Sequence, residues 1–393
     1  MSLVFGHANP ALQTVLLELC FSDEADKPAF RQPRFKKLDQ ALIDDVLSGE
    51  QLRVLPLLYR SVPMEVMSNA SINKVVGMYK HTFCRNNLML NRLWQVQTAF
   101  ARAGFEPMIG IKGLPAIAYL QLGLGARPMA DVDVLIPRMH ERPEQTLNIL
   151  RGLGYQLKGS GFRFLAMTSP ENLELDLHWY VHDWALGQDL VDIIVKHAAP
   201  RTFASQTFLI PCVEHHLVHT IAHGVLTKTL TYDARWVFDT VAVLKRTEHI
   251  DIDLFAEFAN RAAAPQRIRD ALLALANELP ESITLDRSQL RRLHDAVNTN
   301  AKIVSWLYEQ TPTPNLPPEQ LRGTPRLDRI KGMLIAWVWM PRYLRKRQGL
   351  SFLSYWRWLG EFPPVTHRQA AWNVVKKLLL RGPTFLYRVV AQK

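Results

Sequence analysis

The first hundred residues repeat apolar positions at helical intervals. In the stretch NLMLNRLWQVQTAFARAG, Leu88, Leu93, Val96 and Phe100 fall at spacings compatible with one helix, and Gly104 is placed to end it. Then the pattern changes. FEPMIGIKG is short, apolar and closes on glycine, as a strand entering a turn does. LPAIAYLQLGLG predicts a helix with Pro115 near its start and Gly123 or Gly125 at its end. DVDVLIP is the next strand, and ERPEQTLNILRGLGY a helix closed by Gly152 or Gly154. FRFLAMTSP and NLELDLHWYV pair as a hairpin turning at Ser169 and Pro170.

These periods divide the chain. Residues 1–104 form an N-terminal helical region, 105–184 a compact mixed unit of strands and helices, and 185–310 a second helical domain. In the last of these, PCVEHHLVHTIAHGV and ARWVFDTVAVLKR carry the helical pattern most clearly. TPTPNLPPEQLRGTP, residues 311–325, is a proline-rich linker, and 326–393 a basic segment rich in tryptophan.

Composition narrows the class. Of 393 residues, 48% are hydrophobic and 21% charged, enough to bury a sizeable core and too apolar for wholesale disorder. Cys20, Cys84 and Cys212 have neither paired nor metal-like spacing, which fits a reducing cytoplasm. The first residues lack the basic start and small-residue cleavage site of a signal peptide, and no apolar run reaches the ~20 residues of a spanning helix. A cytoplasmic protein is expected, at most peripheral at the inner membrane. The net charge of +11 is uneven: Leu321–Lys393 holds 15 Lys and Arg against two acids, a net of +13, so the remaining 320 residues carry −2.

The chemistry lies in the mixed unit. In RPMADVDVLIP, Asp131 and Asp133 share one face of a strand and Val132, Val134 and Ile136 the other. Paired carboxylates repel, and burying them requires a cation. In LELDLHW, Glu174, Asp176 and His178 share a face in the same way. If the strands are neighbours, three carboxylates converge, a donor set suited to Mg²⁺. Two such ions about 4 Å apart clamp an in-line displacement at phosphorus. Upstream, GIKGLP joins strand to helix through Gly110 and Gly113, presenting backbone N–H groups and the Lys112 ammonium to an anion. Arg127 is placed to fork onto a phosphate or to pair with an acid.

IGIKGLPAIAYLQLGLGARPMADVDVLI, followed about 40 residues later by LELDLHW, resembles the uncharacterised nucleotidyltransferase family of the polymerase-beta-like superfamily. The resemblance covers roughly residues 85–245, with HHLVHTIAHG and RWVFD similar to that family's downstream helices. It implies an α/β (α+β) fold, a small mixed sheet of polymerase-beta-like type with flanking helical regions. It also implies that Asp131 and Asp133 bind metal and that Asp176 supplies a third carboxylate, which helps activate the attacking hydroxyl. The wider superfamily has a Gly-Ser or Gly-Gly turn before the aspartates; here Lys112-Gly113 replaces it, so the grip on phosphate must differ.

The expected activity is Mg²⁺-dependent transfer of an NMP group from an NTP, ATP among the candidates, to a small-molecule, peptide or protein acceptor, with release of pyrophosphate. Two further classes stay open: a non-catalytic nucleotide-binding or regulatory scaffold of the same fold, and a protein acting through its basic tail. That tail interleaves aromatics with Lys and Arg and holds five of the ten tryptophans, a composition suited to an anionic membrane surface, a protein partner or, after these, nucleic acid. His215, His219 and His223 recur every four residues. The glutamate of a zinc-protease helix is missing between them, so they read as a row of core-edge packing residues. His178 and His182 read as packing or hydrogen-bonding residues. Arg235 and Asp239, at i and i+4, read as an intrahelical pair.

Overall fold

The structure, a computed structural model, describes residues 10–298 apart from 22–32, 46, 48, 64–66, 161–163, 182–187, 228–234, 263–264 and 284. The proline-rich linker, the basic C-terminal segment and His182 lie outside the described residues. Among the described residues no helix is long and apolar enough to cross a membrane.

A mixed seven-stranded sheet carries the site. Its strands are β1 (Ile109–Ile111), β2 (Asp131–Leu135), β3 (Gln156–Ser160), β4 (Phe164–Thr168), β5 (Glu174–His178), β6 (Ala199–Phe203) and β7 (Gln206–Ile210), in the order β3-β4-β5-β2-β1-β7-β6. β1 runs parallel to β7, while β3/β4, β4/β5 and β6/β7 are antiparallel. The β4–β5 hairpin turns on Ser169, whose hydroxyl accepts from the Glu171 and Leu173 amides. This is the turn the sequence predicts.

The chain forms two compact units. In their described parts, the first comprises residues within 10–95, 109–133 and 194–298, and the second residues within 96–108 and 134–193. The cut between them falls inside β2, after Asp133.

The first unit holds the helices α1 (Pro10–Phe21), α2 (Pro33–Ile43), α3 (Gly49–Leu52) and α4 (Leu55–Ser61) and, up to Gln95, the long helix α5 (Asn69–Arg102). Leu93, Val96 and Phe100 of α5 are buried as the periodicity requires, whereas Leu88 is exposed and Met89 and Leu90 are buried instead. Gly104 takes a left-handed φ of 71° and ends that run. α6 (Gly113–Leu120) is buried along most of its length because GLPAIAYL has no charged residue to keep in water. It ends at Gln121 in left-handed conformation, not at either glycine of QLGLG. Beyond β7, α9 (Val213–Thr227), α10 (Arg235–Arg246), α11 (Ile252–Arg261), α12 (Pro265–Glu278) and α13 (Arg287–Ala296) complete the unit. α11 and α13 are capped by Asp251 and Asp286, whose carboxylates accept from Leu254 and Gln289 amides. In the second unit, α7 (Pro143–Gly152) starts on a proline and runs into β3 through Gly154 at φ 83°.

One expectation needs correction. Residues 185–310 contain the β6–β7 hairpin as well as helices, including α8 (Gln188–His197).

Candidate active site

β2 presents its carboxylates as its alternation predicts. Val132 and Val134 are buried on the apolar side, Asp131 is half-buried, and Asp133 is only 3% exposed. A carboxylate this dry requires a cation. The Lys112 ammonium supplies it, donating to Asp133 Oδ1. Burial, and then the neighbouring Asp133 charge, push the Asp131 carboxyl above its ordinary pKa, against the pull of Lys112 and Arg235.

On β5, Leu175 and Leu177 are buried on one face, while Glu174 and Asp176 stand half-exposed on the other and His178 is buried. β5 is the neighbour of β2 in the sheet, and the Ile136 amide donates to the His178 carbonyl at 2.8 Å. One ligand atom from each of Asp133, Asp176 and His178 lies within 4.8 Å of the other two. A divalent ion with bonds of about 2.1 Å spans about 4.2 Å between opposite ligands. Two carboxylates with an imidazole are a chemically suitable donor set for such an ion. Asp131 does not belong to this three-residue group, although it shares the strand face and the field of Asp133.

The turn before α6 is held in a costly conformation. Lys112, the residue capping α6, has φ 61° and ψ −97°, a region that side chains rarely adopt. Gly110 lies in β1 beneath Leu114. A Cβ on Gly113 would stand 2.9 Å from Met129 and 3.3 Å from Arg127 Nη1, so glycine here permits a close approach.

Arg127 does fork onto a carboxylate, but neither Asp131 nor Asp133 is the partner. Its Nε donates to Asp239 Oδ1 at 2.9 Å and its Nη2 to Asp239 Oδ2 at 2.8 Å, both residues being largely buried. The Asp239 carboxylate is thus bound across the unit, from α10 to the loop before β2. That loop is also clamped from α5: Asn86 Nδ2 donates to the Leu124 and Arg127 carbonyls at 2.7 and 2.8 Å, its Oδ1 accepts from the Met129 amide, and Arg85 donates to the Ala130 carbonyl. Sequence reasoning passed over Asn86. An asparagine inside a helical run, at a position facing the core, was the available signal.

The model of the family described as Uncharacterised nucleotidyltransferase matches residues 49–280, more than half of the chain. The chain belongs to that family. The matched span runs from α3 to α12 and contains every site residue named above. Membership makes the protein an enzyme of the nucleotidyltransferase class. Two Helicobacter pylori crystal structures are similar to it: JHP933, at 15% identity, covering 57% of this chain and 94% of that one with a TM-score of 0.26, and a candidate nucleotidyltransferase at 14% identity, 57% and 97%, and 0.27. At these TM-scores neither likeness bears on function. Comparison with curated proteins finds no match.

The histidine row of α9 packs at the edge of the core, with His223 half-buried. His215, His216 and His219 are buried, His215 stacks on Phe258 at 4.5 Å, and His216 stacks on Tyr119 at 5.5 Å. Among the described residues, the three-ligand group sits at Asp133, Asp176 and His178 and nowhere on α9.

Proposed function

We propose that the chain transfers the NMP group of an NTP, ATP among the candidates, to an acceptor hydroxyl and releases pyrophosphate. The observation that supports this most is the convergence of a buried Asp133 with Asp176 and His178 on adjoining strands, with the Lys112–Gly113 turn paired to the same carboxylate. Asp131, Asp133 and Asp176, with His178 beside them, are the residues to hold divalent metal, Mg²⁺ and two ions in this reading. When bound, such ions neutralise phosphate charge and polarise the phosphorus that is attacked.

The chain's own groups do the rest. Lys112 and the backbone N–H groups at the start of α6, kept accessible by Gly110 and Gly113, bind the nucleotide's phosphates. Arg127, fixed by Asp239, positions that turn and adds positive charge beside it. Asp176, partly exposed to incoming acceptor, takes the hydroxyl proton as the oxygen attacks the α-phosphorus. The bond to pyrophosphate breaks as the new phosphodiester forms, and the proton leaves through the carboxylate. The acceptor belongs to the class of small molecules, peptides or proteins. We place the reaction in the cytoplasm, with the basic segment 326–393 as a contact for an anionic membrane surface or a protein partner.

The test is to incubate the protein with each α-labelled NTP, Mg²⁺ and cell extract. A labelled product should appear with wild type and vanish with Asp133→Asn and Asp176→Asn. Labelling that persists in both variants, or that never appears with any NTP, rejects the reading.

A further inference from the structure

The ten residues between α6 and β2, 121–130, form neither helix nor strand, yet they deliver Asp131 to the sheet. They lie along α5. Tyr79 covers Gly125, where a Cβ would stand 2.6 Å from its ring. Further along α5, Asn86 is fully buried, and its amide binds the backbone of this one segment. Nδ2 donates to the Leu124 and Arg127 carbonyls at 2.7 and 2.8 Å, and Oδ1 accepts from the Met129 amide at 3.3 Å. These partners fix which way the amide points, because a carbonyl only accepts and an N–H only donates. Beside it, Arg85 donates to the Ala130 carbonyl at 3.1 Å.

Asparagine is a poor helix former, and a buried amide is costly without partners, so its place in the middle of α5 rests on what it binds. What it binds is the approach to the site. Met129 has its amide held by Asn86 while its side chain lies against Gly113, 2.9 Å from where a Cβ would stand. The Lys112–Gly113 turn and the start of β2 are thus referred to one point on α5. Asp133 has a tether of its own in Lys112. Asp131 has no salt bridge among the described residues, so its place follows from its backbone.

We infer that Asn86, with Arg85 beside it, is a positioning residue for the candidate active site: it fixes the entry of β2 and thereby sets how tightly Asp131 and its neighbours hold a divalent ion. The inference rests on the metal reading of those carboxylates. Asn86 acts through the backbone and touches neither ion nor substrate. Groups that orient metal ligands typically contribute about tenfold or more to metal affinity. A bond that served the fold alone would change stability and leave the affinity of the folded molecules unaltered.

Mn²⁺, titrated into the full-length protein at a temperature where each variant is folded and followed by electron paramagnetic resonance, provides the test. Asn86→Ala should weaken Mn²⁺ binding by about tenfold or more. Asp131→Asn should weaken it too, and adding Asn86→Ala to Asp131→Asn should cost nothing further, because the position it sets no longer carries a charge. Val75→Ala, a buried change elsewhere on α5, should lower the melting temperature and leave Mn²⁺ affinity intact. If Asn86→Ala does not fold, Arg85→Gln replaces it in the cycle. Loss of that cation favours Mn²⁺ by charge alone, so weaker binding there reports position, and Arg85→Lys, which can still donate to the Ala130 carbonyl, should restore it. Wild-type affinity in Asn86→Ala or Asp131→Asn, losses that multiply in the double variant, or binding by Arg85→Gln as tight as wild type overturns the proposal and leaves the metal reading standing. A wild-type protein that binds no Mn²⁺ removes both.

Discussion

Lys112 is the residue where conformation and charge meet. Its positive φ costs on the order of 1–3 kcal/mol, and its ammonium is the cation on a buried Asp133. These two contributions separate by substitution. Lys112→Ala and Lys112→Gly both remove the ammonium from the carboxylate, but only glycine relieves the backbone, so the glycine variant should be the more stable by about 1 kcal/mol in denaturant titration. Equal stabilities would show that the strain is absent in solution. The same ammonium competes with any divalent ion for Asp133. Mg²⁺ should therefore raise the melting temperature of Lys112→Ala by more than that of wild type. A smaller shift would mean that Asp133 is not a ligand. Arg127 makes a different prediction, because its partner Asp239 is also largely buried. Removing one member of such a pair costs about 3–5 kcal/mol. Arg127→Ala should be destabilised on that scale, and Arg127→Lys only partly rescued, since an ammonium cannot span both oxygens. Full rescue by lysine would reduce the contact to a point charge.

At the scale of elements, the strands that carry the acids were legible and the sheet edges were not. β2 and β5 alternate apolar and acidic residues because one face is core and the other carries the candidate site, and that pattern is written directly in DVDVL and ELDLH. β3 and β6 lie at the two ends of the sheet. There a strand needs little apolar alternation: QLKGS is mostly polar, and in APRTF Pro200, Arg201 and Thr202 are all exposed. Asp131, Asp133 and Asp176 could be named from periodicity, but the fork from Arg127 to Asp239 spans 112 positions and has no local signature. His178 reads as a packing or hydrogen-bonding residue that shares a face with Asp176, and alternation alone does not say which carboxylates of another strand lie beside it. The α9 histidines read as a core-edge row, and the burial of His215 and His216 sets a pH dependence. Burial, with a small further push from His197, lowers His215 to about 4, and burial lowers His216 to about 4 against the pull of Asp239. Both start from 6.5, so between pH 6.5 and 4 the unfolded chain binds more protons than the folded one, and stability falls as the pH drops through that window. Neither ring nitrogen of His215 has a hydrogen-bond partner. His215→Leu should consequently flatten the decline in melting temperature between pH 7 and pH 5. An unaltered slope would place the titration elsewhere.

At the scale of the whole molecule, charge is segregated along the chain. Residues 321–393 carry +13 and half of the tryptophans, while the other 320 residues carry −2. A body near neutrality gains little from long-range attraction to an anionic surface, so such attraction belongs to the last 73 residues. On a membrane, each Lys or Arg near the headgroups contributes about 1 kcal/mol that salt weakens, and buried aromatics add a part that salt leaves intact. Truncation after Pro317 should then abolish sedimentation with phosphatidylserine vesicles and leave ATP affinity unchanged. The full-length protein should lose only part of its vesicle binding as salt rises from 50 to roughly 500 mM, since its aromatics remain engaged. A loss that instead follows log salt with a steep constant slope on single-stranded RNA would assign the segment to phosphate backbones. If the truncated protein loses its cooperative melt, its tryptophans are part of the core, and the positive charge is the solvated face of a packed segment.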